Sequence, residues 1–278
     1  MGTEVFYTAS GAAHNAGIGY QVGYYLTTGD YNVAMGSNAL LYNQTGSNNT
    51  CLGYAAGFGA SGNSFSNNTL IGHEAGKLIT SGGDNSIMGA LAGDSLTTGT
   101  SNVYIGINSG GANTNGHSHT CVGKEAGLVQ SGGSDNCFIG RNAASATTGA
   151  SAITAIGSTA IGTGNATQDY TVAVGYQSLN NLTSGAGNVA VGYAALDAAT
   201  SDDYCTAVGY EALSGVQGTN SNYNTGIGYQ AGYNLTTGIN NTFIGANAGD
   251  SMTVGDQNTS IGVGSMNGIT TNDVQGCV

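Results

Sequence analysis

Residues 188–196 read Asn-Val-Ala-Val-Gly-Tyr-Ala-Ala-Leu, and variants of this phrase recur along nearly the whole chain. Its central glycine, called the marker glycine, occurs 15 times, at Gly19, Gly36, Gly53, Gly72, Gly89, Gly106, Gly123, Gly140, Gly157, Gly175, Gly192, Gly209, Gly228, Gly245 and Gly262. Successive marker glycines are 17 residues apart in eleven of the fourteen intervals. Because so regular a period is typical of stacked structural repeats, the sequence predicts a solenoid whose neighbouring coils share one continuous core.

Residues of each repeat are numbered from the marker glycine, so that position −1 directly precedes it. Position −1 is aliphatic or Met in every repeat, and position −3 is usually Thr or Val. Since the side chains of a strand alternate between its two faces, these two positions share one face. We predict that this face lines the inside of the coil and that position −2 points outward.

Position −2 is itself mostly apolar. An outward apolar column would form a stripe larger than a monomer normally exposes. Lateral association of identical chains would cover it. The sequence therefore predicts self-association through an interface that includes Ala34, Leu70, Ile87, Tyr104, Phe138, Ala173, Ala190 and Phe243.

The other repeat positions predict how the chain turns corners. Position −4 is Asn in eleven repeats, and stacked Asn side chains can hydrogen-bond from coil to coil and tolerate a left-handed backbone. The marker glycine supplies another corner, and the small residues at position +3 indicate a narrow interior. Each coil is expected to hold two short strands. The predicted fold is an all-β parallel β-solenoid of about 15 turns over residues 14–266, between a leader or cap at 1–13 and a tail or connection at 267–278.

Composition excludes several classes of partner. The net charge is -12, with only three Lys and Arg residues, so we expect no binding to nucleic acid, which requires a basic surface. No apolar run is long enough for membrane insertion as a helix. Residues 1–20 lack the features of a signal peptide, so we expect a chain made without Sec export or a piece of a longer protein. None of the five cysteines has CxxC spacing, and the four within the repeats differ in phase or lie several turns apart, so we expect free thiols rather than disulfide bonds.

The repeat phrase resembles two related groups of proteins. Residues 188–192 and 171–175 resemble the head repeats of YadA-type trimeric autotransporter adhesins, and Asn-Thr-Gly-Ile-Gly-Tyr-Gln-Ala at 224–231 resembles the repeats of phage tail-fibre and virion fibre proteins. The resemblance covers residues from about 14 to 266. It implies a left-handed β-roll, three chains packed side by side, and the outward apolar column at the trimer interface.

The resemblance also implies a function. We expect an acidic structural or receptor-binding fibre protein of a phage virion that mediates host attachment. Its expected partners are itself, as a homotrimer, other virion fibre or baseplate proteins, and a host surface glycan or protein. The alternative implied by the same resemblance is the head of a bacterial trimeric adhesin at the cell surface.

An ice-binding solenoid is a further alternative. Thr recurs in the second half of the repeats, at Thr27, Thr80, Thr97, Thr114, Thr148, Thr183, Thr200, Thr236, Thr253 and Thr270. Ice binding requires an exposed, flat Thr array. We rank this alternative last because the strand threonines at position −3 are assigned to the inner face, among aliphatic residues.

The sequence offers little for catalysis, so we expect no enzyme activity, no catalytic residue and no resident organic cofactor. His117 and His119 lie at i and i+2, on one side of a predicted strand. In a trimer, six such imidazoles could hold an axial transition metal, which resembles the tips of T-even phage long tail fibres. The alternative interpretation is two exposed loop histidines, with His119 simply replacing the ladder Asn.

A column of tyrosines at position +1 is a candidate binding surface, because Tyr provides contact area at low entropic cost. It includes Tyr20 and Tyr54, and the surface-binding candidates are Tyr176, Tyr193, Tyr210 and Tyr229. The alternative interpretation is that these rings only pack against one another from coil to coil.

Overall fold

The structure, a computed structural model, describes residues 2–162, 169–217, 221–268 and 274–275. It is an all-β parallel β-solenoid of about 14 turns with a repeat of about 17 residues. The predicted fold class is confirmed. The marker glycines explain the regularity, because each one lies at the end of a strand and begins the corner that follows.

Two compact units make up the chain, Met1–Asn136 and Cys137–Val278. The strands of the first unit are β1 Ala16–Ile18, β2 Val33–Met35, β3 Thr50–Leu52, β4 Thr69–Ile71, β5 Ser86–Met88, β6 Val103–Ile105 and β7 Thr120–Val122. The strands of the second unit are β8 Cys137–Ile139, β9 Thr154–Ile156, β10 Val172–Val174, β11 Val189–Val191, β12 Thr206–Val208, β13 Thr225–Ile227, β14 Thr242–Ile244, β15 Gly255–Asp256, β16 Thr259–Ile261 and β17 Val274–Gln275.

Strands pair parallel and in register, so that equivalent repeat positions stack on one another. Ala173 of β10, for example, is paired with Ala190 of β11. Each full coil holds one three-residue strand at positions −3 to −1, rather than the two strands we predicted; β15, which pairs with β17, is the exception. The stretch that follows the marker glycine is a series of turns, because residues with positive φ at positions +2 and +4 interrupt any extended run.

The interior of the coil is lined by position −2, not by positions −1 and −3. The predicted assignment of faces is therefore wrong, and so is the predicted interface. All eight of its residues are at most 1 % exposed within a single chain, namely Ala34, Leu70, Ile87, Tyr104, Phe138, Ala173, Ala190 and Phe243. The physical reason is that both faces of the strand are apolar, so that apolar character alone does not distinguish inside from outside.

Size matching between positions −2 and +4 fills this interior. Where position −2 is large, position +4 is Gly or Ala, and a Cβ built on Gly110 would lie 2.8 Å from the ring of Tyr104. Where position −2 is Ala, position +4 is Leu or Ile, as in the pair Ala190 and Leu196, which are both fully buried. In these coils, the core is therefore close-packed by complementary volumes.

The marker glycine cannot carry a side chain. Gly228 has φ +136°, and a Cβ built on it would lie 2.6 Å from the carbonyl oxygen of Gly245 in the next coil. A residue with a side chain would therefore be strained in its backbone and would also clash with the backbone of the neighbouring coil. This confirms that the marker glycine forms a corner.

The N-terminal residues lie against the first coil. The Phe6 amide donates to the carbonyl of Val22 (2.9 Å), and the Phe6 ring lies over Gly17 and Gly23, 2.6 Å from a Cβ built on Gly23. This ring fills the space that the two glycines leave open. At the other end, most of the predicted tail at 267–278, including Cys277, lies outside the described residues. The four described cysteines form no disulfide bond.

Candidate functional site

The outward face of the strands, called the outer sheet face, consists of positions −3 and −1. Its aliphatic residues are between 36 % and 67 % exposed at Ile18, Met35, Met88, Ile105, Ile139, Val208, Ile227, Ile244 and Ile261. Beside them lies a column of partly exposed threonines, at Thr50, Thr69, Thr120, Thr154, Thr206, Thr225, Thr242 and Thr259. Each unit thus exposes an apolar stripe, built from the residues that we had assigned to the interior.

The outer sheet face is regular. Its strands pair in register, so equivalent side chains recur at about 4.8 Å along each unit. Such a surface offers methyl groups and hydroxyls in two parallel columns. It can be covered by an equally regular surface, or it can impose order on the water that contacts it.

A ladder of buried Asn side chains at position −4 connects the coils. The Asn49 backbone amide and its Nδ2 both donate to Asn32 Oδ1 at 3.0 Å, and Asn32 Nδ2 donates to the carbonyl of Gly46 at 3.0 Å. The predicted coil-to-coil hydrogen bonding is confirmed. The left-handed residue, however, is at position −5, for example Asn48 with φ 61°, and not at the ladder Asn.

The two candidate metal-binding histidines do not share a face. His119 is fully buried and takes the place of the ladder Asn, while His117 is exposed, and β7 begins only at Thr120. The prediction that both imidazoles project from one side of a strand is wrong, and their divergence does not fit a common metal ion. The replacement of the ladder Asn by His119 is confirmed.

Burial lowers the pKa of His119 to about 4, although the carbonyl of Gly132 and the charge of Asp135 oppose this shift. The imidazole is therefore neutral at physiological pH, which suits a position in the interior. His117 has a different partner, since its Nδ1 accepts a hydrogen bond from the Thr100 amide at 3.1 Å.

That contact belongs to a second side-chain ladder, which was not predicted. Short polar side chains near position +11 accept the backbone N–H of the equivalent residue one coil earlier. Asp203 Oδ1 accepts from the Ala186 amide at 2.7 Å, and Asn222 Oδ1 accepts from the Asp203 amide at 2.8 Å. The recurrence of Asp, Ser, Asn and His near this position is the signal that could have predicted it. His117 is thus part of the scaffold.

The four candidate tyrosines form a stack, called the tyrosine ladder, whose members are 43–50 % exposed. Ring centroids are 5.6 Å apart between Tyr176 and Tyr193, 4.8 Å between Tyr193 and Tyr210, and 5.4 Å between Tyr210 and Tyr229. Packing from coil to coil is confirmed. Because neighbouring rings cover one another's faces, the ladder presents mainly ring edges and hydroxyl groups.

A cavity of about 370 Å³ opens near the tyrosine ladder, in the second half of three successive coils. Its polar lining includes Asp197, Glu211, Ser214, Gln217, Tyr233 and Asn234. Burial raises the pKa of Asp197, and the charge of Glu211 raises it further. The cavity was not predicted. The one available signal is the 19-residue step between Gly209 and Gly228, two of the three coils that line it.

Comparison with known proteins finds no matching family model, no matching curated protein and no matching solved structure. Within the described ranges, no three His, Cys, Asp or Glu residues are grouped as metal ligands would be. The same part of the chain contains no helix with the length and apolar character needed to cross a membrane.

Proposed function

We propose that this protein is a structural and receptor-binding fibre protein of a phage virion, in which three identical chains associate through their outer sheet faces. The observation that carries the proposal is the column of exposed aliphatic side chains at position −1 in each unit. A stripe of this kind is unusual on a monomer and is typical of a surface that another protein covers.

The regularity of the outer sheet face favours an identical partner. Burial of apolar surface contributes about 25 cal/mol per Å², so a contact that recurs in every coil accumulates along the face. A second copy has the same spacing between coils, and therefore the same register, whereas an unrelated surface would match only locally. The number three comes from the resemblance of residues 188–192 and 224–231 to trimeric fibre and adhesin repeats.

The remaining surface supports an attachment role rather than catalysis. The tyrosine ladder and the cavity beside it offer contact area for a host surface glycan or protein, and the chain ends offer connections to other fibre or baseplate proteins. The excess of acidic residues disfavours nucleic acid as a partner. We propose that the protein is not an enzyme and has no resident cofactor.

The location of the protein tests the virion proposal. Antibodies raised against the purified chain would be applied to phage particles and to intact bacteria and viewed by electron microscopy with gold labelling. We expect labelled fibres on the particles. Labelling of the bacterial surface alone would contradict the virion and support the head of a surface adhesin, which would use the same outer sheet face.

An ice-binding solenoid is the second candidate, because one specific observation favours it. The strand threonines at position −3 face outward, so the reason for ranking this function last no longer applies. The turn threonines are less suitable, since Thr97 Oγ1 donates to the carbonyl of Thr114 at 2.7 Å and similar bonds recur. Thr270 lies outside the described residues. Thermal hysteresis of a concentrated solution would support ice binding, and its absence would exclude it.

A further inference from the structure

We propose that the cavity lined by Asp197, Glu211, Ser214, Gln217, Tyr233 and Asn234 binds an uncharged sugar residue of a surface glycan. This inference rests on the proposed function of host attachment and names the ligand class of one site. The volume, about 370 Å³, is within the range of small-molecule binding sites. Most of the lining residues carry a carboxylate, amide, hydroxyl or phenol group, beside a comparable apolar surface, which favours a ligand with both hydroxyl and C–H groups.

The polar groups of the cavity match the hydroxyls of a sugar. Glu211 is held in place because its Oε2 accepts a hydrogen bond from Gln230 Nε2 at 2.7 Å. A carboxylate has about four acceptor sites, so Glu211 can also accept a hydrogen bond from a ligand hydroxyl. The Ser214 hydroxyl and the Gln217 amide form no side-chain hydrogen bond within the described ranges, so both are available to a ligand. Carboxylate acceptors and amide donors together can bind adjacent hydroxyl groups, which both donate and accept.

Tyr233 supplies an apolar surface of the kind that the tyrosine ladder does not offer. Its ring is 37 % exposed, and no other aromatic ring stacks on it among the described residues. The faces of Tyr193 and Tyr210, by contrast, are covered by their neighbours. A tyrosine ring that lines a polar cavity can pack against the C–H groups of a sugar ring, while the phenol hydroxyl contributes a hydrogen bond.

Charge restricts the class of sugar. Asp197 and Glu211 interact electrostatically, since the charge of Glu211 contributes to the raised pKa of Asp197. No Lys or Arg lines the cavity, so a ligand carboxylate would be repelled and would find no cationic partner. The cavity should therefore accept neutral sugars and reject sialic and uronic acids.

The walls of the cavity are fixed by the stacking of the coils. The Gly215 amide donates to the carbonyl of Tyr233 at 2.8 Å, and Asn234 Nδ2 donates to the carbonyl of Asp250 at 2.6 Å. A site on a hydrogen-bonded scaffold loses less entropy on binding than a site on a free loop. In an assembly of identical chains, several copies of a weak site would also act together.

The test uses saturation-transfer NMR and titration with glucose, galactose, mannose and N-acetylglucosamine, and with N-acetylneuraminic and glucuronic acids. We expect at least one neutral sugar to bind the wild-type protein with a millimolar dissociation constant and the acidic sugars not to bind. Tyr233→Ala and Gln217→Ala should each weaken binding at least tenfold. Tyr170→Ala is the matched control, because Tyr170 is 74 % exposed and does not line the cavity, and it should bind as the wild type does.

The inference is overturned if no neutral sugar binds, if acidic sugars bind equally well, or if the variants bind like the wild type. Circular dichroism would verify folding, and Gln217→Ala keeps the test valid if Tyr233→Ala does not fold, since the Gln217 side chain is exposed and forms no hydrogen bond with another described residue. Labelled virions without sugar binding would contradict this site alone. Sugar binding by a protein that does not label virions would contradict the proposed function alone.

Discussion

In strand β14, Phe243 is completely buried inside its coil, whereas the next residue, Ile244, keeps 36 % of its surface exposed. Both side chains are large and apolar. They differ in what surrounds them, because Phe243 fills the space left by Gly232 and Gly249, while Ile244 belongs to a column of similar aliphatic residues. On the inner face, the side chain at position −2 varies in size from coil to coil and is matched by the residues around it. On the outer face, position −1 is aliphatic or Met in every repeat. Side chains that vary in size and are matched by their neighbours are typical of a closed interior. Side chains of similar size at every repeat form a regular surface that a second regular surface can cover.

The largest expected effect comes from replacing the buried member of this pair by alanine. Phe243→Ala should lower the free energy of unfolding by about 3–5 kcal/mol, because it leaves a cavity in the core. Ile244→Ala is the matched control and should cost less than about 1 kcal/mol in the isolated chain. Urea unfolding of both variants measures the difference. Equal losses, or a larger loss for Ile244→Ala, would reverse the assignment of the two faces.

Removal of one member of the Asn ladder should have the next largest effect. Asn85 donates to Asn68 Oδ1 at 2.9 Å and to the carbonyl of Gly99 at 3.0 Å, and its Oδ1 accepts from the amide of Asn102 at 3.0 Å. Asn85→Ala leaves these buried groups unsatisfied and should cost about 2–4 kcal/mol. The exposed Asn115→Ala should stay within about 0.5 kcal/mol of the wild type. Similar unfolding midpoints for both variants would show that the ladder does not stabilise the stack.

The buried carboxyl group of Asp202 should make the stability of the protein depend on pH. Asp202 is fully buried at a repeat position that is mostly Gly, and its Oδ2 has no hydrogen-bond partner among the described residues. Burial raises the pKa of Asp202. The folded state therefore holds this proton more tightly than the unfolded state does, so the contribution to stability is complete below the unfolded pKa and is lost as the pH rises through the folded pKa.

Asp202→Asn should remove this pH dependence and stabilise the protein at pH 7 by about 1–3 kcal/mol, because a neutral amide is cheaper to bury. Thermal unfolding at pH 4 and pH 7 would measure both effects. Asp203→Asn is the control, since Asn keeps the acceptor for the Ala186 amide, and its stability should change little. A loss of stability in Asp202→Asn at pH 7 would mean that the carboxylate is satisfied.

An effect no larger than that of Asp202→Asn is expected from a direct test of size matching. Ala190→Leu should overpack the coil against Leu196 and cost about 1–3 kcal/mol. The double variant Ala190→Leu/Leu196→Gly reproduces the large-and-glycine combination of other coils, and Gly suits the φ of 51° at this position. It should recover at least half of the loss in a double-mutant cycle. Additive losses would show that positions −2 and +4 do not share a space.

The sequence was sufficient to predict the features that depend on the period of the repeat. It was not sufficient to predict which of two alternating strand positions faces the interior. The spacing of the marker glycines and the recurrence of Asn at position −4 were sufficient for the solenoid and for its hydrogen-bonded ladder. They could not distinguish the inside of the strand from the outside, because Ala190 and its neighbours Val189 and Val191 are all apolar. The pairing of a small with a large residue, as in Ala190 with Leu196 and Gly110 with Tyr104, could have identified position −2 as the inner one. Only residues in contact need to balance each other's volume.

Less of the candidate site than of the fold could be predicted from the sequence. The tyrosine ladder follows from the repeat, because a residue that recurs at one position must stack. His117 and His119 are two residues apart, but the His117 side chain belongs to the second ladder and His119 lies at the Asn-ladder position, where its backbone amide donates to Asn102 Oδ1. Local spacing could not reveal this difference. The cavity around Tyr233 depends on how three coils stack, and only an irregular step in the repeat indicates it.

The mass of the protein in solution tests the proposed association most directly. Sedimentation analysis would compare the wild type with Met88→Asp/Ile105→Asp on the outer sheet face and with Leu78→Asp as a control. Leu78 and Met88 are equally exposed, at 47 %, but Leu78 lies outside the strands. We predict that the wild type and Leu78→Asp have three times the chain mass of 27.4 kDa and that the double variant is a folded monomer. A monomeric wild type, or a double variant that still associates, would contradict the proposed role of the outer sheet face.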